Sequence, residues 1–291
     1  MVEELIKKAA ILHEALPYIR RFRGTTFVIK YGGHAMTEEA LRESFARDVL
    51  LLRYVGVRPV VVHGGGPQID ATLERLGIRS TRVEGLRITD EDTMDVVSMV
   101  LRGRVNREIV AMLQRYGARA VGLSGIDDSL LLAHKAPPVR LKDGREVDTG
   151  RVGTVRDVRP QVLSALLDAS IIPVVAPIAA DAEGAPLNIN ADTAAGEIAA
   201  AMRAEKLILM TDTEGVLDGD GALIKSLTPQ SVAGYRDAEV IKGGMIPKVE
   251  CALRALAGGV NKCHVIDGRR QHAILLEIFT DSGVGTELVR S

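Results

Sequence analysis

Short apolar runs alternate along the chain with longer stretches whose apolar positions recur every three or four residues. The runs predict strands at 26–31, 58–63, 119–123, 171–176, 206–211 and 262–266. The periodic stretches predict helices at 38–54, 67–76, 90–116, 159–168, 191–204 and 247–257. Several strand runs are almost continuously apolar, as strands covered on both faces must be. The alternation predicts an α/β fold around a mainly parallel sheet, with ligands beyond the carboxyl ends of its strands.

Three stretches depart from this rhythm. Residues 135–156 read as hairpin material, with Asp143-Gly144 as the turn, forming a flap or an edge extension. A Gly- and Pro-containing turn at 178–187 predicts a boundary between two lobes, with the sheet free to run through both. Residues 3–20 predict a helix whose Leu5, Ala9, Leu12, Leu16 and Ile19 share one face, bent or interrupted at Pro17. Two readings of that helix stand side by side: packed on its own domain, or an arm against another subunit. Arg20, Arg21 and Arg23 after it read as a solvated basic turn.

Composition narrows the class. The chain has 291 residues, 46% hydrophobic and 26% charged, as in a soluble globular protein. Aromatics make up only 3%, so Ala, Val, Leu and Ile must build the core. A net charge of -1 argues against a nucleic-acid partner, so a phosphorylated ligand has to be drawn by local charge. The two cysteines, Cys251 and Cys263, have neither metal nor redox spacing, which fits a reduced compartment. No secretory h-region and no apolar run of about 18 residues is present, so the expected location is cytoplasmic, with no membrane partner.

The chemistry concentrates at glycine-rich turns. Lys30 interrupts an apolar strand just before Gly32-Gly33, where it can project into the ligand crevice. His63-Gly64-Gly65-Gly66-Pro67 joins a strand to a helix, and consecutive glycine N–H groups there make an anion site. Neither turn is a Walker A loop or a dinucleotide fingerprint. His63 reads as a structural hydrogen-bonding residue rather than a base. Arg87 suits a carboxylate, and Thr89 reads as a helix cap with Asp92. Asn188, Asn190 and Asp192 share one face of an extended segment; Asn190 or Asp192 serves as a helix cap, and the three together make a hydrogen-bonding site. The strand run 207–211 ends in the polar loop 212–217, able to hold a ribose or base. Gly243-Gly244 and Pro247 precede Lys248 at a helix start that can face phosphates. Two lysines at separate glycine turns suit a phosphate that must be held and then moved.

In this order these motifs resemble the amino acid kinase family, over nearly the whole chain from Val28 to Val289 and without departure at the quoted positions. Within it the likeness is to members acting on N-acetyl-L-glutamate. The resemblance implies a three-layer αβα sandwich: an N-terminal lobe (23–180) for the acyl amino acid and a C-terminal lobe (181–291) for ATP. It implies transfer of the ATP γ-phosphoryl to the side-chain carboxylate, in arginine biosynthesis. Lys30 and Lys248 would approach the phosphoryl group from opposite lobes, with Asp192 orienting both. Gly32, Gly33 and Gly65 would cradle it, Gly33 and Gly65 through their N–H groups. Arg87 would clamp the α-carboxylate, while Asn188, Asn190 and Gly65-Gly66 read the rest. Asp212, Thr213, Glu214, Gly215, Val216 and Leu217, with Val240, Ile241 and Lys242, would border the nucleotide. Mg²⁺ would ride on the phosphates, with no direct protein ligand.

Residues 1–22 resemble the oligomerisation helix of arginine-inhibited, hexameric members, implying a homo-hexamer with Tyr18, Glu277, Gly283 and Gly285 near the bound arginine. A nitrogen-signalling PII-type regulator finds no support in these motifs. Other readings remain open: another acceptor on the same fold (glutamate, aspartate, carbamate, a nucleoside monophosphate or an aminoadipate derivative), or a sensor without turnover.

Overall fold

Each predicted apolar run is a strand in the computed structural model, which describes residues 2–141, 143–280 and 282–290. The first half contains helices α1 (Val2–Phe22), α2 (Glu39–Tyr54), α3 (Gly66–Arg75), α4 (Glu91–Ser98), α5 (Arg107–Arg115) and α6 (Gln161–Asp168). Its strands are β1 (Thr26–Tyr31), β2 (Arg58–His63), β3 (Arg82–Val83), β4 (Leu86–Arg87), β5 (Ala120–Ser124), β6 (Leu131–Lys135), β7 (Val139–Arg140), β8 (Glu146–Val147), β9 (Gly153–Val158) and β10 (Ile172–Ala176). Then follow β11 (Ile178–Ala180), β12 (Pro186–Asn188), α7 (Ala191–Ala201), β13 (Lys206–Thr211), β14 (Ser226–Leu227) and α8 (Pro229–Asp237). The chain finishes with α9 (Met245–Ala257), β15 (Lys262–Asp267), α10 (Ala273–Ile278) and β16 (Thr286–Leu288).

Among the described residues the main sheet has eight strands in the order β14-β16-β15-β13-β1-β2-β10-β5. Only the β15–β16 pair is antiparallel. The sheet crosses the 178–187 region, because β13 of the later half pairs with β1 of the earlier half. Alternation along each strand splits the core in two. Phe27, Ile29, Val61 and Ile208 face one layer with residues of α2, α5 and α10. Val28, Val60, Val62 and Leu207 face the other, with residues of α6, α7 and α9. Helices therefore cover both faces, giving the αβα layering, and each fully buried aliphatic side chain contributes roughly 1.5–3 kcal/mol. The turn expected at 178–187 holds β11 and β12, which join β6 and β9 in a second, four-stranded sheet. The hairpin expected around Asp143-Gly144 forms as the separate ribbon β7–β8, with Gly144 at φ 86°; Lys142 lies outside the described residues.

Five expectations need correction. The helix expected over 90–116 winds as α4, a π segment (Met99–Asn106) and α5. Its cap is Asp90, whose side chain accepts from Thr93 N at 2.8 Å; Thr89 instead donates to Arg87 O. Asp90 wins because it directly precedes the first helical residue, where a carboxylate meets the exposed N–H groups. Pro17 does not interrupt α1. Nor does α1 pack on its own domain along its length: Leu12 is 72% and Leu16 48% exposed, and only its end, at Tyr18 and Phe22, joins the core. The side chains of Leu5 and Ala9 lie outside the described residues. Arg20, Arg21 and Arg23 are exposed, but only Arg23 lies in a turn after the helix; Arg20 and Arg21 belong to the last turn of α1. Among the described residues no helix is long and apolar enough to cross a membrane.

Candidate active site

Lys30 sits near the carboxyl end of a central strand, opposite Val62 and Leu209 in the neighbouring strands. The pleat cannot bury an ammonium there unless its tip finds charge. It finds Asp192, the second residue of α7: Lys30 Nζ lies 3.1 Å from Asp192 Oδ1, an ion pair rather than an aligned hydrogen bond. Lys248, in the first turns of α9, donates to Asp192 Oδ2 at 2.6 Å. One carboxylate thus joins two lysines that stand 218 positions apart in the chain.

Local sequence explains how these groups meet. Asn190 caps α7, its Oδ1 accepting from Asp192 N and Thr193 N. Gly196 lets α7 and α9 approach, because a Cβ there would press on Cys251 Sγ. The Cys251 thiol donates to Asp192 O at 2.9 Å. Cys251 lies one turn beyond Lys248, so this contact also sets the position of Lys248 against Asp192. A glycine inside a helix costs up to about 1 kcal/mol, which this close packing must offset.

Lys30 is 9% and Asp192 7% exposed. Burial lowers the Lys30 pKa below its ordinary value, and Lys248 lowers it further, against the opposing pull of Asp192. For Asp192, burial favours the protonated acid, but the two lysines outweigh it and hold the carboxyl below its usual range. Lys30 Nζ curls back over Gly32, within 3.0 Å of where a Cβ would stand. Gly32 in turn lies beside Gly64, whose N–H donates to Tyr31 O at 2.8 Å. The two glycine turns are thus neighbours at the end of the sheet. Gly33 has φ 68°, and a side chain there would collide with Asp212. Asp212 Oδ1 accepts from His34 N at 2.8 Å.

Beside this centre lies a cavity of about 150 Å³ that brings together Gly65, Gly66, Arg87, Asn188 and Asn190. Leu86, Leu101, Val152 and Ile189 give it apolar walls. Arg87 donates to Asp70 Oδ1 at 2.5 Å and to Ser80 Oγ; Arg82 also pairs with Asp70. Burial would raise the Asp70 pKa, but the two guanidiniums outweigh it and lower it. Sequence reading missed Asp70, Arg82 and Ser80, which carry no motif.

The expected nucleotide segments form a second group. In 212–217, Thr213 Oγ1 donates to Gly215 O and Val216 N donates to Thr286 Oγ1, while Glu214 pairs with exposed Arg270. Gly215 sits at φ 152° against Leu223 and Thr286. Ile241 and Val216 are buried in the same apolar cluster, Val240 is half-buried and Lys242 is exposed. Leu217 pairs with Leu223 in an isolated bridge. Among the described residues no group of three or more His, Cys, Asp or Glu side chains could hold a metal ion.

A separate cavity of about 400 Å³ brings Tyr18, Glu277, Gly283 and Gly285 together with Lys206, His264, Lys262 and Glu287. Lys206 Nζ meets His264 Nε2 at 2.8 Å, and His264 Nδ1 meets Glu277 Oε1 at 2.7 Å. Glu277 Oε2 accepts from Val284 N and Gly285 N, so most of its capacity serves its own chain. Burial brings the Lys206 pKa down to about 8. Sequence reading missed Lys206 and His264. The available signal was two polar groups inside otherwise apolar strands.

The model of the amino acid kinase family matches residues 25–267. The chain is 56% identical to the acetylglutamate kinase of Syntrophobacter fumaroxidans, over 98% of its own length and 97% of that protein's. It superposes on the N-acetylglutamate synthase of Neisseria gonorrhoeae complexed with coenzyme A and N-acetyl-glutamate, with a TM-score of 0.85 at 29% identity, covering 97% of this chain and 63% of that one. The same synthase complexed with coenzyme A and L-arginine gives 0.80 at 27%, covering 97% and 65%. A match over most of the chain, with two lysines and a carboxylate meeting at the sheet's edge, leads to one conclusion: the chain belongs to the amino acid kinase family.

Proposed function

We propose that the chain transfers the γ-phosphoryl group of ATP to the side-chain carboxylate of N-acetyl-L-glutamate, giving N-acetyl-L-glutamyl 5-phosphate in arginine biosynthesis. The observation that carries this is Asp192 held between Lys30 and Lys248. The attacking carboxylate is already a nucleophile, so no general base is required. The obstacle is charge. Two like charges about 4 Å apart repel by roughly 4 kcal/mol at an effective dielectric of about 20. Lys30 and Lys248 offset that repulsion on opposite sides of the moving group, and Asp192 keeps both tips aimed at it. The Gly33 and Gly65 N–H groups supply further donors that need not reorganise.

The substrate reading rests on the smaller cavity and on 56% identity to a named acetylglutamate kinase. Arg87 takes the α-carboxylate in exchange for part of its hold on Asp70, while Asn188, Asn190 and the Gly65-Gly66 backbone meet the remaining polar atoms. Residues 212–217 and 240–242 border the nucleotide. Asp192 is committed to two lysines and so is unfit as a metal ligand. Mg²⁺ would arrive on the nucleotide and neutralise phosphate charge there.

The larger cavity is read as an effector site for arginine, with Tyr18, Glu277, Gly283 and Gly285 around it, in a hexamer joined through α1. The synthase complexed with L-arginine supports this, and a guanidinium there would compete with Lys262 for Glu287 and with His264 for Glu277. A coupled ADP-release assay tests both parts. ADP should appear with N-acetylglutamate and ATP together, and arginine should slow it. Release with glutamate or aspartate but not with N-acetylglutamate rejects the substrate; indifference to arginine rejects the effector.

A further inference from the structure

The π segment, Met99–Asn106, is an uncommon winding that concentrates near functional sites, and beyond Leu101, which walls the smaller cavity, it has been given no role. It packs directly on the His63–Gly66 turn. Leu101 Cδ2 and Val105 Cγ2 fill the space a Cβ at Gly65 would take. Asn106 is 4% exposed; its Nδ2 meets Val174 O at 2.9 Å and His63 Nε2 at 3.1 Å. Residues five apart stand about 140° apart around an α-helix. An i→i+5 winding puts more residues in each turn and so brings residues five apart closer to one face, and Leu101 and Asn106 both reach the same glycine turn. An α-helical path would send one of them elsewhere.

The carbonyls of Val174 and Leu123, 2.9 and 3.3 Å from Asn106 Nδ2, fix the amide with its NH₂ group on the side of His63, and an amide nitrogen offers no lone pair to a ring N–H. His63 Nε2 must then accept, which leaves the proton on Nδ1, where it is donated to Gly64 O at 2.7 Å. Burial lowers the His63 pKa to about 4, so the ring stays neutral through the physiological range. The chain of contacts runs from helix to amide to imidazole to the carbonyl of the first glycine.

We propose that Asn106 is a positioning residue for phosphoryl transfer, holding His63 in its Nδ1–H tautomer and thereby aiming the Gly65 and Gly66 N–H groups that follow the anchored Gly64. This rests on the kinase reading above. Asn106 touches no reacting atom; it acts through His63.

The test uses the full chain labelled with ¹⁵N-histidine. In the unmodified protein the His63 ring should show the neutral Nδ1–H pattern. Asn106→Ala should disturb that pattern and lower kcat about tenfold or more, since small misplacement of donors is costly. KM for N-acetylglutamate and ATP should stay within about threefold, because the aim of the turn matters most in the transition state. His63→Asn keeps a donor near Gly64 O but cannot reach Asn106. The double variant should therefore be no slower than the slower single variant. Should Asn106→Ala fail to fold, Asn106→Asp, of similar volume but without the donor, is read in the same way. Turnover within about twofold, an unchanged His63 pattern, or losses that multiply in the double variant overturn the positioning role alone. Absence of turnover in the unmodified protein overturns the kinase reading and this role with it.

Discussion

Asp192 shows how one side chain sets the character of its neighbours. It is the counter-charge that opposes the lowering of the Lys30 pKa by burial. Asp192→Asn preserves shape and removes that charge. Lys30 and Lys248 then repel without a mediator, and the Lys30 pKa falls further. The sign follows: loss of the ammonium moves to lower pH, so the alkaline limb of the rate profile should shift toward neutrality. At neutral pH kcat should drop by about a hundredfold or more, as when a transition-state charge loses its support. A profile superimposable on that of the unmodified protein would remove Asp192 from the mechanism. Lys30, Lys248 and Asp192 were legible in the sequence because each stands at a strand end, a glycine turn or a helix start, where local pattern announces exposure to the crevice. Lys206 and His264 were not. Each looks like an ordinary strand residue until β13 and β15 lie side by side, and that pairing joins residues 58 positions apart.

At the scale of elements, six strands and most helices follow from period and apolarity alone, yet α8, α10 and the π segment do not. α10 spans six residues, too few for a helical period to register. The π winding keeps apolar residues near the same spacing, so a single helix was the natural reading of 90–116. What fixes α10 comes from a distant helix. Asp48 of α2 is buried, its Oδ1 meets His272 Nδ1 at 2.7 Å, and it accepts from the backbone of Leu275 and Ile274. Ser44 Oγ also accepts from His272 N at 2.6 Å. Burial raises the Asp48 pKa from 3.8 to about 6, and its hydrogen bonds only partly oppose this. A raised pKa means the folded state holds the proton more tightly than the unfolded state. The stability from this group is complete below about pH 4 and is lost as pH rises through about 6, by about 2–3 kcal/mol. Asp48→Asn should therefore flatten the fall in urea midpoint between about pH 4 and 6.5. An unchanged slope would assign that fall to other groups.

For the whole molecule, α1 presents apolar side chains that nothing in the same chain covers among the described residues. Ile6, Ile11, Leu12 and Leu16 are exposed along it, an arrangement a lone helix in water has little reason to keep. Ile6, Leu12 and Leu16 fall within about 120° around the helix, and burying these three on each of two paired helices yields about 9–18 kcal/mol gross, at roughly 1.5–3 kcal/mol apiece. Association costs about 4–15 kcal/mol, so pairing α1 with a second copy is favourable over most of that range. The far end of the same helix carries Tyr18, Arg21 and Phe22 into the larger cavity, where Phe22 lies 5.2 Å under the Lys206 ammonium. On the reading proposed above, assembly and effector binding share one element, α1. If the proposed hexamer is joined through α1, removing residues 1–22 should reduce it to smaller units in light scattering and raise the arginine concentration for half-inhibition about tenfold or more, since one wall of the cavity goes with the helix. Turnover without arginine should stay within about twofold, because among the described residues the partners of Lys30, Lys248 and Asp192 all lie outside α1. Unchanged mass would show that another surface holds the subunits together, and unchanged arginine inhibition would remove the effector from the Tyr18–Glu277 cavity.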